Sequence, residues 1–259
     1  MHPSSTSRRP WIVAAAFAAA LATGSALAAT TGLAAALGDQ PPAATPAPNA
    51  PAGPPPPAHP CQTTGPAQRA AEAYLAGHPG FGPVSADGVQ SVADCAAIRQ
   101  LQDRFAVASP SGYADALTGR IVAQVQSAPT ARCGAARESS TVVCVDLTTQ
   151  TMWATRGGRI VLGPTVVRTG GPGERTPAGR FVITTKKRHT RSSITGTPME
   201  YWQHLRDGYG FHQAWKYLYD PSVPGSLGCV NMTPRDSRDL FALTDLGTQV
   251  RIIGHRPGT

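Results

Sequence analysis

One cysteine in the C-terminal part of the chain lies in a context that suits a nucleophile. Cys229 follows a glycine in the segment GSLGCVNM and shortly precedes a predicted helix. Glycine allows a tight turn, in which the backbone N–H groups of Leu227, Gly228 and Cys229 can converge on a developing oxyanion. The positive end of a nearby helix dipole would favour thiolate over thiol. The segment therefore predicts a thiol nucleophile beside a backbone oxyanion hole.

His212 is the candidate proton acceptor for this thiol, because a positioned base is the usual means of activating a nucleophile. It follows the β-like dipeptide Gly210-Phe211 and precedes Cys229. A papain-like hydrolase would carry its cysteine before its histidine. A zinc peptidase would need close ligand spacings, which the histidines at 189, 204, 212 and 255 lack. We expect cysteine catalysis without a metal or other cofactor.

The elements that must position these residues are mostly strands. From residue 141 onward the apolar residues follow a period of two in TVVCVDL, TMWATR, RIVLGPTVVR, GRFVITTK and QVRII, and Gly157-Gly158 marks a hairpin turn. One helix is predicted among them, with Thr233 as N-cap, Pro234 at its first position, and Leu240 and Leu243 on one face. The predicted fold class is α+β, with a mainly β catalytic domain at residues 139–254.

Residues 61–127 are predicted to be helical. One helix is expected over 67–76, and Ser91 opens a second with a capping box. Apolar residues at helical spacing define the faces of the second and third helices: Ile98, Leu101, Phe105, Leu117, Ile121 and Val125. The pattern predicts a small N-terminal three-helix bundle.

The N-terminal part of the chain has the composition of an export segment and a spacer. Arg8 and Arg9 precede an uncharged run from Trp11 to Gly38, so residues 1–38 are predicted to be a signal peptide, cleaved after 26–28, or a retained membrane anchor. Residues 39–60 are rich in Pro and Ala, which favours an extended linker. We expect an exported, extracytoplasmic protein, with possible anchoring in the membrane.

Charge and cysteine content agree with this location. The net charge of +8 suits an anionic partner such as a cell-wall polymer, and export argues against nucleic acid. Four of the five cysteines can pair in an oxidising compartment, which leaves one thiol free. Cys133–Cys144 and Cys61–Cys95 are the expected disulfides, although four cysteines allow three pairings.

Four ordered motifs resemble the L,D-transpeptidase (YkuD-type) family over about residues 141–254. They are the hairpin VDLTTQTMWATRGGRIV, the segment RTPAGRFVI, the run from Met199 to Trp202, and GFHQAW followed by SLGCVNM. The chain departs from the family pattern at Leu227, where a second histidine is usual, and at Glu200, where proline is usual. The loop between His212 and Ser226 is short, with thirteen residues.

The resemblance implies a peptidoglycan L,D-transpeptidase that forms 3→3 crosslinks between stem peptides. Cys229 would attack the stem to form a thioacyl-enzyme, and His212 would act as general base and acid. Tyr201, Gly208, Ser226 and Asn231 would bind the substrate or brace the site. The resemblance also implies that carbapenems acylate Cys229. The helical segment around Asp87-Gly88 resembles a peptidoglycan-binding module.

Two other functions fit the same residues. An L,D-carboxypeptidase would release D-alanine by giving the same thioacyl intermediate to water, and a related enzyme would give it to an amine on a wall-linked protein. A non-catalytic wall-binding module would fit the altered motif at Leu227, although the chain retains both His212 and Cys229.

Overall fold

The computed structural model describes residues 57–133, 140–220 and 222–259. The export segment predicted at 1–38 and most of the linker predicted at 39–60 lie outside these ranges. Within them, the structure contains no helix with the length and apolar character needed to cross a bilayer.

The helical part contains three α-helices: α1 (Gln68–Ala76), α2 (Val92–Arg104) and α3 (Ala116–Gln126). The predicted capping box is present at the start of α2, where Ser91 accepts from the Asp94 N–H and Asp94 accepts from the Ser91 N–H. The three helices share an apolar core that also takes in one residue from the β part: Ala71, Leu75, Ile98, Leu101, Phe105, Ile121, Val122, Val125 and Val166. A wall-binding role for this segment stays a prediction.

Nine strands form two sheets. Their bounds are β1 (Thr141–Asp146), β2 (Thr151–Arg156), β3 (Arg159–Val166), β4 (Gly179–Val182), β5 (Thr185–Arg191), β6 (Pro198–Arg206), β7 (Tyr209–Gln213), β8 (Val230–Met232) and β9 (Gln249–Ile253). The strand order is β3-β2-β1-β9-β4 in the first sheet and β5-β6-β7-β8 in the second. Each predicted β-rich run contains one of these strands, and a mixed-sheet fold with a few helices agrees with the predicted α+β class.

The β5–β6 hairpin was not predicted as a pair of strands. β5 has the sequence TKKRHTR and is largely exposed, so it lacks the apolar alternation that marks a half-buried strand. Its pairing with β6 in regular antiparallel register, rather than burial of an apolar face, defines it. The hairpin contributes one wall of the cleft described below.

The two sheets pack on a common apolar core. Its members come from both sheets and from helix α4 (Pro234–Leu243): Val143, Val145, Met152, Phe211, Val230, Met232, Leu240, Val250 and Ile252. Thr233 caps α4 by accepting from the Asp236 N–H, as predicted. Burial of Phe211, Val230 and Met232 fixes β7 and β8, and these two strands carry His212 and Asn231 of the site.

The two predicted disulfides are present. Cys61–Cys95 joins the start of the described chain to α2, and Cys133–Cys144 joins the end of the helical part to β1. Cys229 is a free cysteine and is half-buried.

Candidate active site

A cleft of about 400 Å³ brings together most of the residues that the sequence singles out. The predicted site residues that line it are His212, Gly208, Ser226, Leu227, Cys229 and Asn231. The β5–β6 hairpin adds the loop at 192–197, whose Ile194 is exposed, and Trp202 adds a buried aromatic surface. Cys229 and His212, which lie apart in sequence, therefore line the same cavity.

The register between β7 and β8 positions His212. In this parallel pair His212 lies opposite Asn231, and the Asn231 Nδ2 is 3.0 Å from the His212 Nε2. The His212 Nδ1 donates to the backbone carbonyl of Gln213 at 3.0 Å. Burial lowers the pKa of His212, the bond to the Gln213 carbonyl opposes this, and the positive charge of Arg168 lowers the pKa further. His212 is accordingly a neutral base at physiological pH.

The Cys229 thiol is not ionised at rest. Burial raises the pKa of Cys229 to about 11, and its Sγ lies 3.8 Å from the Gly208 carbonyl oxygen. The sequence-based expectation of a thiolate was wrong, because burial disfavours the charged form more than the hydrogen bond from the Gly210 backbone favours it. A base is therefore needed to remove the thiol proton.

The turn before Cys229 requires glycine. Gly228 has a φ of +99°, and a Cβ there would lie 2.2 Å from the Cε1 of Tyr209. The Thr176 hydroxyl donates to the Gly228 carbonyl at 2.8 Å, and the Ser226 hydroxyl donates to the Cys229 carbonyl at 2.5 Å. These two bonds hold successive carbonyls of the turn in place, so the orientation of the intervening peptide groups is fixed.

The N–H groups of the same turn remain available. Among the residues that the structure describes, the N–H groups of Leu227, Gly228 and Cys229 have no hydrogen-bond acceptor. Leu227, which is 47% exposed, and Cys229 line the cleft, whereas Gly228 between them is buried. Unpaired N–H groups next to a nucleophile are the arrangement that stabilises a tetrahedral oxyanion.

Tyr201 is not among the residues that line the cleft, and its contact with a substrate stays a prediction. Its ring packs edge-on against Phe241 of α4 with a centroid distance of 5.7 Å, and the Arg188 guanidinium lies 5.7 Å from its centroid. The adjacent Trp202 lines the cleft instead. The Tyr201 side chain thus packs β6 against α4.

Sequence reasoning missed two residues of the site. Thr176 belongs to the quoted RTPAGRFVI motif, but nothing in the sequence shows that its hydroxyl contacts the Gly228 carbonyl. Arg168 follows β3, is only 8% exposed and lines the cleft. A single arginine after a β-rich run is typical of a strand end, so the sequence carries no signal of its burial.

Comparison with known proteins places this arrangement in a family. A model described as the L,D-transpeptidase catalytic domain (YkuD) matches residues 140–252. The crystal structure of an L,D-transpeptidase from Stackebrandtia nassauensis is 38% identical, with a TM-score of 0.72, over 77% of this chain and 96% of that one. A mutant L,D-transpeptidase from Enterococcus faecium is 29% identical over 44% of this chain and 50% of that one, with a TM-score of 0.40. No curated protein matches the chain.

The similarity to the Stackebrandtia nassauensis enzyme extends over more than two thirds of both chains. It is also close enough in sequence to establish common membership. The chain therefore belongs to the L,D-transpeptidase family, whose members are acyltransferases that act on peptidoglycan stem peptides and are typically extracytoplasmic.

Proposed function

We propose that this protein is a peptidoglycan L,D-transpeptidase that forms 3→3 crosslinks through a thioacyl intermediate on Cys229. The observation that carries the proposal is the cleft in which a free thiol and a neutral imidazole occur together, beside a turn with unpaired N–H groups. The other four cysteines are held in disulfides, so only Cys229 has a thiol to offer.

The first half-reaction acylates the enzyme. The Cys229 sulfur attacks the carbonyl carbon of the third residue of a tetrapeptide stem while His212 takes the thiol proton. The N–H groups of Leu227, Gly228 and Cys229 stabilise the negative oxygen of the tetrahedral intermediate. The bond to the terminal residue then breaks, and His212 returns the proton to the departing amine. D-Alanine leaves and a thioester remains.

The second half-reaction transfers the acyl group. The side-chain amine of the diamino acid on another stem attacks the thioester carbon, and His212 accepts the proton that the amine loses. The carbon–sulfur bond breaks, Cys229 recovers its thiol, and an amide joins the third residues of two stems. Neither half-reaction involves oxidation or reduction. Every proton that moves is held by the thiol, the imidazole or a substrate amine.

We also propose that the protein works outside the cytoplasm. The two disulfides of the described residues support this location, because such bonds persist in oxidising compartments. The basic composition suits an anionic wall, and the helical part at residues 61–127 is proposed to bind peptidoglycan. Cosedimentation of the protein with purified wall sacculi tests this: the protein should bind at low salt and be released as the salt concentration rises. Protein that stays entirely in the supernatant at low salt would contradict the proposal.

The reaction is tested with a disaccharide tetrapeptide and a separate acceptor stem. Formation of a 3→3 dimer that Cys229→Ala abolishes supports the transpeptidase. Release of D-alanine without dimer would replace the proposal with an L,D-carboxypeptidase, in which water resolves the thioester. Absence of both products, with retained binding to peptidoglycan, would leave a non-catalytic wall-binding protein.

A further inference from the structure

Arg168 is a buried cation that forms no ion pair among the described residues, although the charge of Asp220 acts on it from a longer distance. It is 8% exposed, and among the described residues no carboxylate lies within ion-pairing distance of its guanidinium. Its Nε is buried without a hydrogen-bond partner. Burial of an unpaired charge costs stability, and the contacts that Arg168 makes connect it to the proposed base.

Three paired residues form a row across the floor of the cleft. The Arg168 N–H donates to the Asn231 carbonyl at 3.1 Å, and the Asn231 N–H donates to the Arg168 carbonyl at 2.8 Å. Asn231 lies in turn opposite His212 in the β7–β8 pair. Residues directly opposite each other on neighbouring strands project their side chains from the same face, so Arg168, Asn231 and His212 lie side by side.

The side chains of this row are linked by hydrogen bonds whose direction is determined. The Gln213 carbonyl can only accept, so the His212 Nδ1 carries the proton. The Arg168 Nη2 can only donate and lies 3.4 Å from the Asn231 Oδ1, which turns the Asn231 Nδ2 towards the His212 Nε2 at 3.0 Å. The guanidinium is itself held by a 3.1 Å bond from Nη1 to the Tyr217 carbonyl.

We propose that Arg168 is a positioning residue for His212: it fixes the orientation of the Asn231 amide, whose Nδ2 donates to the His212 Nε2 and keeps the imidazole neutral until the thiol proton takes the place of that bond. This inference rests on the proposed function only for the role of His212 as base. Arg168 itself need not touch the substrate.

The geometry opposes a charged imidazole at rest. A proton on the His212 Nε2 would face the donating Nδ2 of Asn231, and a flip of the amide would instead set Nδ2 against the donors of Arg168. The positive charge of Arg168 acts in the same direction, since it disfavours a second cation close by. An imidazolium that forms during attack therefore gives up its proton readily to the leaving amine.

Other titratable groups face the same cleft. They are the Cys229 thiol, which is protonated at rest, the Tyr217 phenol, and the exposed guanidinium of Arg191 on β5. Arg256 and Asp220 also act on Arg168: the positive charge of Arg256 lowers the pKa of Arg168, and the negative charge of Asp220 raises it. Arg191 is a cation in the same cleft but outside the row, so it provides a matched control for the charge of Arg168.

The experiment is NMR of the full protein with ¹⁵N-labelled histidine, in which the tautomer and titration of His212 are followed. Wild type is expected to show the Nδ1–H tautomer. Arg168→Met should raise the pKa of His212, because an Asn231 amide that is free to flip can accept from a protonated Nε2. Arg168→Lys should stay close to wild type and Arg191→Met should leave the pKa of His212 unchanged, while the Gln213 carbonyl keeps the Nδ1–H tautomer in all three. Asn231→Ala removes the donor to Nε2 and should also raise the pKa of His212, and it provides the test if Arg168→Met does not fold.

Kinetics provide a second readout. His212 must be neutral to accept a proton, so a raised pKa in Arg168→Met should move the acid limb of the acylation rate to higher pH. An unchanged titration of His212 in Arg168→Met, or an equal change in Arg191→Met, would overturn the proposal. The NMR result does not require turnover, so a failure of Cys229 to form an acyl adduct would refute the proposed function separately.

Discussion

Replacement of Arg104 by methionine should destabilise the protein more than any exposed ion pair could. Arg104 in α2 binds Asp236 in α4 through two hydrogen bonds of 3.1 and 2.7 Å, and the two side chains are 16% and 0% exposed. Methionine keeps most of the apolar stem of arginine but leaves the Asp236 carboxylate buried without its cation. The pair joins the helical part of the chain to the helix that follows β8.

The size of the loss follows from the surroundings of the carboxylate. Removal of one partner from a buried ion pair costs about 3–5 kcal/mol. Asp236 would keep the hydroxyl donors of Thr165 at 2.7 Å and Thr233 at 2.6 Å, which places the expected loss near the lower value, about 3 kcal/mol. For a fold of this size, each kcal/mol lowers Tm by about 2–4 °C, so Tm should fall by about 6–12 °C.

The assay is thermal unfolding followed by circular dichroism, with Arg206→Met as the matched control. Arg206 pairs with Asp207 at 2.6 Å, but both side chains are more than 60% exposed, and such pairs contribute about 0–1 kcal/mol. The reasoning is refuted if Arg104→Met lowers Tm no further than the control does.

The remaining predictions concern the nucleophile and its turn. Gly228→Ala should lower the acylation rate at least about 10²-fold, because the new Cβ meets the Tyr209 ring and displaces the oxyanion N–H groups, and stopped-flow acylation measures the loss. Thr176→Val leaves the buried Gly228 carbonyl without its donor and should slow acylation about tenfold. An unchanged rate would show that the turn keeps its conformation without this hydrogen bond. Iodoacetamide should label Cys229 of the resting enzyme slowly at pH 7, where about one thiol in 10,000 is ionised, and faster as pH rises towards about 11; fast labelling at pH 7 would contradict the neutral thiol.

Much of the framework was predictable because local patterns agree with the tertiary structure. The capping box at Ser91, the Thr233-Pro234 start of α4 and the Gly157-Gly158 turn have direct sequence signatures, and all three are present. Cys229 and His212 were predictable as candidates because a thiol and an imidazole are rare, recognisable reactive groups in an ordered motif.

The rest depends on long-range pairing, which a single sequence does not record. Arg168 meets Asn231 only through an isolated antiparallel bridge between segments that lie far apart in sequence, and Thr176 reaches Gly228 across more than fifty residues. The neutral state of the Cys229 thiol depends on burial by the surrounding elements, whereas the sequence showed only a helix close by along the chain. The pairing of β5 could not be predicted, because its charged and largely exposed side chains lack the apolar alternation of a half-buried strand.

Intact-mass spectrometry of the enzyme with a disaccharide tetrapeptide tests the central claim most directly. The account predicts an adduct equal to the donor minus D-alanine, located on Cys229 by peptide mapping, absent from Cys229→Ala and consumed when an acceptor stem is added. An adduct on another residue, or a folded wild-type protein that forms no adduct and releases no D-alanine, would contradict it.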